Sequence, residues 1–317
     1  MPQEVRRSVH RGLFRPLGAA IALAVGLCLP LAMPAAAEHA GPRVLLGPAQ
    51  GDALHVMSYN LRFASDTGPH TWAQRRPVIA ELLRHEQPTI LGTQEGLYPQ
   101  LRDVEQDLPA FYDWIGEGRG GGHRDEFAAI FFDTRRLEPL ASGHFWLSGT
   151  PDVPGSKSWG NTTVRMATWI HFADKHTGGE FVALNTHLDN SSEFARQRGA
   201  ELIRDRINDI PSTLPVILTG DFNTAAQDSA SYRILTSGTG LADAWTSATQ
   251  RRTPLISTWH GYEPLVPDGR RIDWILTRGA AGVAAAGINT FTDRGRYASD
   301  HLPMQALLTL DHGHSAG

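Results

Sequence analysis

The chain has 317 residues, a formal net charge of −4 and 41% hydrophobic residues, enough apolar material for one large core. Its one cysteine excludes a disulfide framework. The acidic balance argues against a dedicated binder of long duplexes, which carries a basic face.

Arg6, Arg7, Arg11 and Arg15 precede an uncharged apolar stretch from Leu17 to Met33, and Ala35-Ala36-Ala37 follows. This reads as a signal peptide over 1–37, cleaved near Ala37, with the mature protein secreted to the periplasm or the medium. A single transmembrane anchor is the alternative, but Pro30, Pro34 and the closing alanines favour cleavage, so no stable membrane insertion is expected. Cys28 leaves with the leader, and no thiolate chemistry remains. Residues 38–52 are a Pro- and Gly-containing lead-in, 53–311 a single domain, and 312–317 a small polar tail.

Leu54–Asn60 reads as a strand. Pro77–His85 is helical, with Val78, Leu82 and Leu83 on one face. Thr89–Thr93 is a short strand, and Tyr98–Leu108 a helix with Leu101, Val104 and Leu108 at helical spacing. Phe127–Phe132, Thr163–Phe172, Phe181–Thr186 and Val216–Thr219 are apolar and β-branched, as buried strands are. Glu193–Ile210 is an amphipathic helix with Phe194, Leu202, Ile203 and Ile207 inward. Ile272–Thr277 and Leu302–Leu310 close the series. Paired strands with few helices imply an α/β fold of two packed sheets flanked by helices.

Polar residues gather where these strands end. Glu95 follows the apolar run Ile90–Gln94, and a carboxylate there needs a cation or an arginine. Asp221 and Asn223, two apart, point the same way on an extended segment, or they form an Asx turn. His187 ends Phe181–Thr186, either as a site residue or as a satisfied core histidine. Asp273 sits among apolar residues and needs a partner such as an imidazole, whose tautomer it would fix. Asp300-His301 precedes the last strand. Converging carboxylates repel unless a hard cation lies between them.

Six ordered segments carry a resemblance: Met57-Ser58-Tyr59-Asn60-Leu61-Arg62, Thr93-Gln94-Glu95, Asn185-Thr186-His187-Leu188, Thr219-Gly220-Asp221-Phe222-Asn223-Thr224, Arg271-Ile272-Asp273-Trp274 and Ser299-Asp300-His301. Together they resemble the endonuclease/exonuclease/phosphatase superfamily, in a secreted bacterial branch, from about Leu54 to Leu310. The resemblance implies the deoxyribonuclease-I-like fold, a four-layer α/β sandwich of two mixed β-sheets flanked by helices. It implies that Asn60 and Glu95 hold a metal, with Asp300 a further ligand or a partner behind one. Asp221 and Asn223 would position the attacking water and the scissile phosphate, and Asp273 would pair with His301. His187 would donate to a phosphoryl oxygen or assist the leaving group.

The chemistry agrees. Mg²⁺ or Mn²⁺ neutralises a phosphoester and stabilises the leaving oxygen, and two histidines donate as charge builds on phosphoryl oxygens. The base is Asp221 or His301. One departure stands out. The abasic-site endonuclease branch has an aspartate two residues after the equivalent of Asn60, and here that position is Arg62. This puts a second metal in doubt and suggests a clamp on substrate phosphate.

Arg62, Arg119, Arg124 and Arg165 are the expected substrate contacts. Trp72 with Arg75 and Arg76, and the stretch Gly118–Arg124, read as cationic loops, the second either wrapping an anion or simply exposed. Trp146, Trp159 and the segment Ser257–Gly261 are expected pocket walls or core. The reading is a secreted, monomeric, divalent-metal-dependent phosphoesterase. Its substrate is a small or accessible ester: a sugar phosphate, inositol phosphate, nucleotide or lipid head-group. A secreted nuclease acting on DNA or RNA is the alternative.

Overall fold

The computed structural model describes residues 44–311. The expected signal peptide and the 312–317 tail lie outside the described residues. The helices are α1 (Trp72–Glu86), α2 (Tyr98–Asp107), α3 (Glu193–Asn208), α4 (Ala230–Thr236) and α5 (Ala244–Ser247). The first eight strands are β1 (Leu54–Asn60), β2 (Ile90–Gln94), β3 (Gly96–Leu97), β4 (Tyr112–Ile115), β5 (Glu126–Phe127), β6 (Ile130–Asp133), β7 (Leu137–Trp146) and β8 (Met166–Asp174). The rest are β9 (Glu180–His187), β10 (Val216–Asp221), β11 (Ala242–Asp243), β12 (Gln250–Arg251), β13 (Asp273–Arg278), β14 (Ala280–Ile288) and β15 (Met304–Leu310).

One sheet runs β12-β14-β15-β1-β2-β6-β4 and the other β11-β13-β10-β9-β8-β7; β3 and β5 form a short ribbon. Both sheets are mixed, with β1–β2 and β9–β10 parallel and most other pairs antiparallel. Period-two alternation assigns the layers. Leu54, Val56, Ile90, Phe181, Ala183, Ile217 and Ile275 meet between the sheets. Met57, Tyr59 and Leu91 pack with α1 and α2 residues such as Ile79 and Leu101. Leu184, Leu218 and Leu276 pack with Ile203 and Ile207 of α3. This is the expected four-layer sandwich.

The inner faces change character along the strands. β1 reads Leu54, Val56, Ser58, Asn60; β9 reads Phe181, Ala183, Asn185, His187; β10 reads Ile217, Thr219, Asp221. Each goes from apolar through amide or hydroxyl to a site residue at its C-terminal end. The middle belt is hydrogen-bonded across the sheets. Asn185 Oδ1 accepts from Gln94 Nε2 (2.7 Å) and from Thr219 Oγ1 (3.0 Å), and its Nδ2 donates to the Thr93 and Ala129 carbonyls. Asn185 thus has both ends of its amide satisfied, whereas Gln94 Oε1 in the same layer has no partner.

Several expectations need correction. α1 begins at Trp72, not Pro77, because Gln74 Oε1 accepts from the Thr71 N–H at 3.1 Å and caps the helix there. Trp72 and Arg75 are therefore buried helix residues rather than a cationic loop, and Arg76 pairs with Asp103 and Asp107 of α2. Phe127–Phe132 is not one strand; it breaks at Ala128 and Ala129. Phe194 is 59% exposed, so it does not face inward. β7 and the Ala- and Gly-rich β14 were not expected as strands.

Candidate active site

Register brings three functional side chains into one row. Asp221 ends β10 opposite His187 of β9 on one side and opposite Asp273 of β13 on the other. Adjacent strands lie about 4.8 Å apart, so these groups must interact. The facing sheet supplies Asn60 at the end of β1 and Glu95 just past β2. Asn60 Nδ2 donates to Glu95 Oε1 (2.9 Å) and to Asp221 Oδ2 (3.0 Å), joining the sheets at this end.

His301 Nδ1 lies 3.0 Å from Asp273 Oδ2, which is the expected pair. Its Nε2 is 3.7 Å from Asp221 Oδ2. The Thr258 hydroxyl accepts from the Ile272 and Asp273 N–H groups and holds the strand entry. Burial opposes charge on His301, but the Asp273 and Asp221 carboxylates outweigh it and hold its pKa up to about 10.

His187 has the opposite partner. Arg165, itself buried, places Nη1 2.8 Å from His187 Nδ1. A guanidinium only donates, so Nδ1 must accept and the ring proton sits on Nε2. Burial and then Arg165 push the His187 pKa below its ordinary value and keep the ring neutral. Its Nε2 lies 3.3 Å from Asp221 Oδ2, which accepts the ring proton, and 2.9 Å from Asn223 Nδ2, a donor that bonds the Leu188 carbonyl and not the Nε2–H.

Asp221 stays ionised. Burial works against this, but His187, His301 and the Asn223 N–H hold its carboxyl well below the usual carboxylate range. Asp221 and Asn223 do not lie on one extended segment. The chain turns after Asp221, Asn223 has a φ of 51°, and its N–H donates to Asp221 Oδ1 at 2.9 Å. The Asx turn is thus itself part of the site. It leaves Oδ2 facing the cluster and swings the Asn223 amide towards His187.

Glu95, His187 and Asp221 each offer a ligand atom within 4.8 Å of one another, and so do Asp221, Asp273 and His301. A carboxylate-rich set with an amide beside it suits a hard divalent cation. Asp300 stands outside both groups, at the rim, with Oδ2 3.9 Å from Arg62 Nε. Arg119 is engaged by Glu126 (2.7 Å) and Asp125 (2.9 Å). Arg124 is exposed on a loop closed by its own backbone bonds, such as Gly118 N–H to the Gly122 carbonyl. Trp146 is core and donates to the Arg119 carbonyl, and Trp159 is half-buried beneath Arg198. Trp259 is 54% exposed, and its backbone bridges to that of His301, so it stands at the site's rim. The sequence reading missed Tyr262 and His70, which stack at 3.6 Å beside Arg62. Only the neighbouring Trp259-His260-Gly261 hinted at them.

Sheet order, strand-end convergence and the paired acids and imidazoles define a phosphoester hydrolase of the deoxyribonuclease-I-like class. The model of the Endonuclease/Exonuclease/phosphatase family matches residues 57–301, and the chain belongs to that family. The family's enzymes depend on a divalent metal. An endonuclease/exonuclease/phosphatase family protein of Bacteroides thetaiotaomicron is 37% identical and superposes with a TM-score of 0.77, over 83% of this chain and 99% of that one. The mannosyl-6-phosphatase of Bacteroides thetaiotaomicron is 36% identical with a TM-score of 0.75, over 81% of this chain and 100% of that one. An uncharacterised protein of Acanthamoeba polyphaga mimivirus is 31% identical over 163 residues, 49% of this chain and 60% of that protein. The chain therefore spans less than two thirds of the viral relative.

Proposed function

We propose that this protein hydrolyses a small, accessible phosphate ester of the sugar-phosphate kind with Mg²⁺ or Mn²⁺, after export by its leader. The observation that supports this best is the row His187–Asp221–Asp273 with His301 and Glu95 gathered around it. The similarity to a mannosyl-6-phosphatase along nearly the whole of that protein supports a small substrate, as does the acidic net charge.

Glu95 and Asn60, with Asp300 at the rim, would hold the ion. When bound, it neutralises phosphoryl charge and lowers the cost of the leaving oxygen. Asp221, ionised and an acceptor only, orients the attacking water. The His301 imidazolium, kept charged by Asp273, donates to a phosphoryl oxygen as negative charge develops there. Neutral His187 donates from Nε2 to a second oxygen, and the Asn223 amide helps to place it. Exposed Trp259 offers a face for the substrate's ring.

The test is a panel on purified mature protein: sugar phosphates, p-nitrophenyl phosphate, bis-(p-nitrophenyl) phosphate, DNA, RNA and phospholipids, each with and without EDTA. Phosphate release from the small esters, abolished by EDTA and restored by Mg²⁺, is the expected result. Digestion of DNA or RNA without small-ester hydrolysis would make the protein a nuclease. Activity that survives EDTA would remove the metal from the account.

A further inference from the structure

Five residues around the site take a left-handed backbone although none is glycine: Arg62 (φ 53°), His70 (φ 64°), Glu95 (φ 63°), Asn223 (φ 51°) and Tyr262 (φ 67°). Each such conformation costs energy, and such residues persist where the surroundings over-determine them. Glu95 and Asn223 belong to the cluster already described. Arg62, Tyr262 and His70 form a separate ledge beside it.

That ledge is built. The Arg62 N–H donates to Asn60 Oδ1 at 2.8 Å, and its carbonyl accepts from Arg75 Nη2 (3.0 Å) and Gln100 Nε2 (2.9 Å). Buried Arg75 spends every guanidinium N–H on carbonyls: those of Leu61, Arg62, Phe63, His70 and Ala298. One arginine thus fixes the loop that carries another. The Arg62 guanidinium lies 4.9 Å from the Tyr262 ring centre, and Tyr262 is stacked flat on His70. Its Nε faces Asp300 at 3.9 Å. Arg62 Nη1 and Tyr262 Oη face each other closely enough to interact, and neither atom has another hydrogen-bond partner among the described residues; both atoms are shielded from solvent. Polar atoms this enclosed normally have their hydrogen-bonding capacity filled, and here each faces only the other, which calls for an explanation.

From this arrangement we infer that Arg62 and Tyr262 form a subsite for the terminal oxygens of a phosphomonoester, selecting the dianion over a diester. The inference rests on the hydrolase reading above. A monoester carries one more terminal oxygen and more charge than a diester, whose additional alkoxy group is neutral and bulky. A fixed guanidinium and a phenol beside the acid cluster reward that extra charged oxygen. They give nothing to a second ester arm.

The experiment compares wild type with Arg62→Asn and Tyr262→Phe. Asparagine tolerates the left-handed backbone, so only the guanidinium is lost. Calorimetric titration of the Mg²⁺-supplemented protein with inorganic phosphate should show binding about 10- to 100-fold weaker in Arg62→Asn. The ratio of kcat/KM on p-nitrophenyl phosphate to that on bis-(p-nitrophenyl) phosphate should fall by about 10-fold or more. Should Arg62→Asn fail to fold, Tyr262→Phe carries the same comparison with a smaller fall. Phosphate binding within twofold of wild type, or an unchanged ratio, overturns the subsite. If wild type hydrolyses neither ester, the hydrolase reading fails, and the phosphate titration still decides on Arg62.

Discussion

Two imidazoles flank one carboxylate in this site, and their outer partners differ in sign. Behind His301 stands the Asp273 carboxylate, and behind His187 stands the Arg165 guanidinium. The first ring is held charged, the second neutral with its proton on Nε2. This division of labour follows from the single contact at His187 Nδ1. Arg165→Met keeps the length of the side chain and removes the donor. His187 should then sample both tautomers, and kcat should fall by about 10- to 100-fold with little change in KM. Nitrogen chemical shifts of His187 read the tautomer directly, and one fixed tautomer in the variant would deny Arg165 this role. Arg165 was visible in the sequence as a cation, but its target was not. A guanidinium bound for phosphate and one bound for an imidazole look alike in one dimension. Tyr262 was harder still, because a left-handed backbone at a tyrosine leaves no mark in composition.

Strands carried more of the legible signal than helices. β1 has the expected bounds because its alternation is clean and its end is marked by Asn60. β14 was missed because alanine and glycine dominate it, and both are poor strand formers judged alone. It becomes a strand by pairing with β15. The start of α1 was misplaced because Pro77 suggested a first turn, whereas it sits inside the helix. Gly92 on β2 shows a further constraint that sequence hides. A Cβ there would lie 2.1 Å from Thr219 Oγ1 and 2.7 Å from Asn185 Oδ1 on the facing sheet. These atoms are committed to the buried polar belt and cannot yield cheaply. Gly92→Ala should therefore push the sheets apart just beneath the site and cost about 1–3 kcal/mol. Thermal melting measures the cost. An unchanged midpoint would mean that the belt is softer than its hydrogen bonds suggest.

At the scale of the molecule, the sandwich turns a one-dimensional scatter of acids into a local excess of negative charge. Glu95, Asp221 and Asp273 come from both sheets, and His301 is the one charged imidazole among them. The six motifs made this convergence readable, since each lies at or beside a strand end on the same side of the sheets. The ion's exact ligands were less readable: Asp300, expected as a ligand or as a partner behind one, stands at the rim beside Arg62. A folded chain that binds a cation its unfolded form does not bind gains stability by mass action. Mg²⁺ at a hundred times its dissociation constant should raise the melting midpoint by about 5 to 10 °C. Glu95→Gln removes one charge from the set without changing its shape, so the same addition should raise the midpoint much less. The comparison needs no substrate and no turnover. Equal shifts in the two proteins would place the ion away from Glu95, and no shift in either would leave the acid cluster to be balanced by its imidazoles alone.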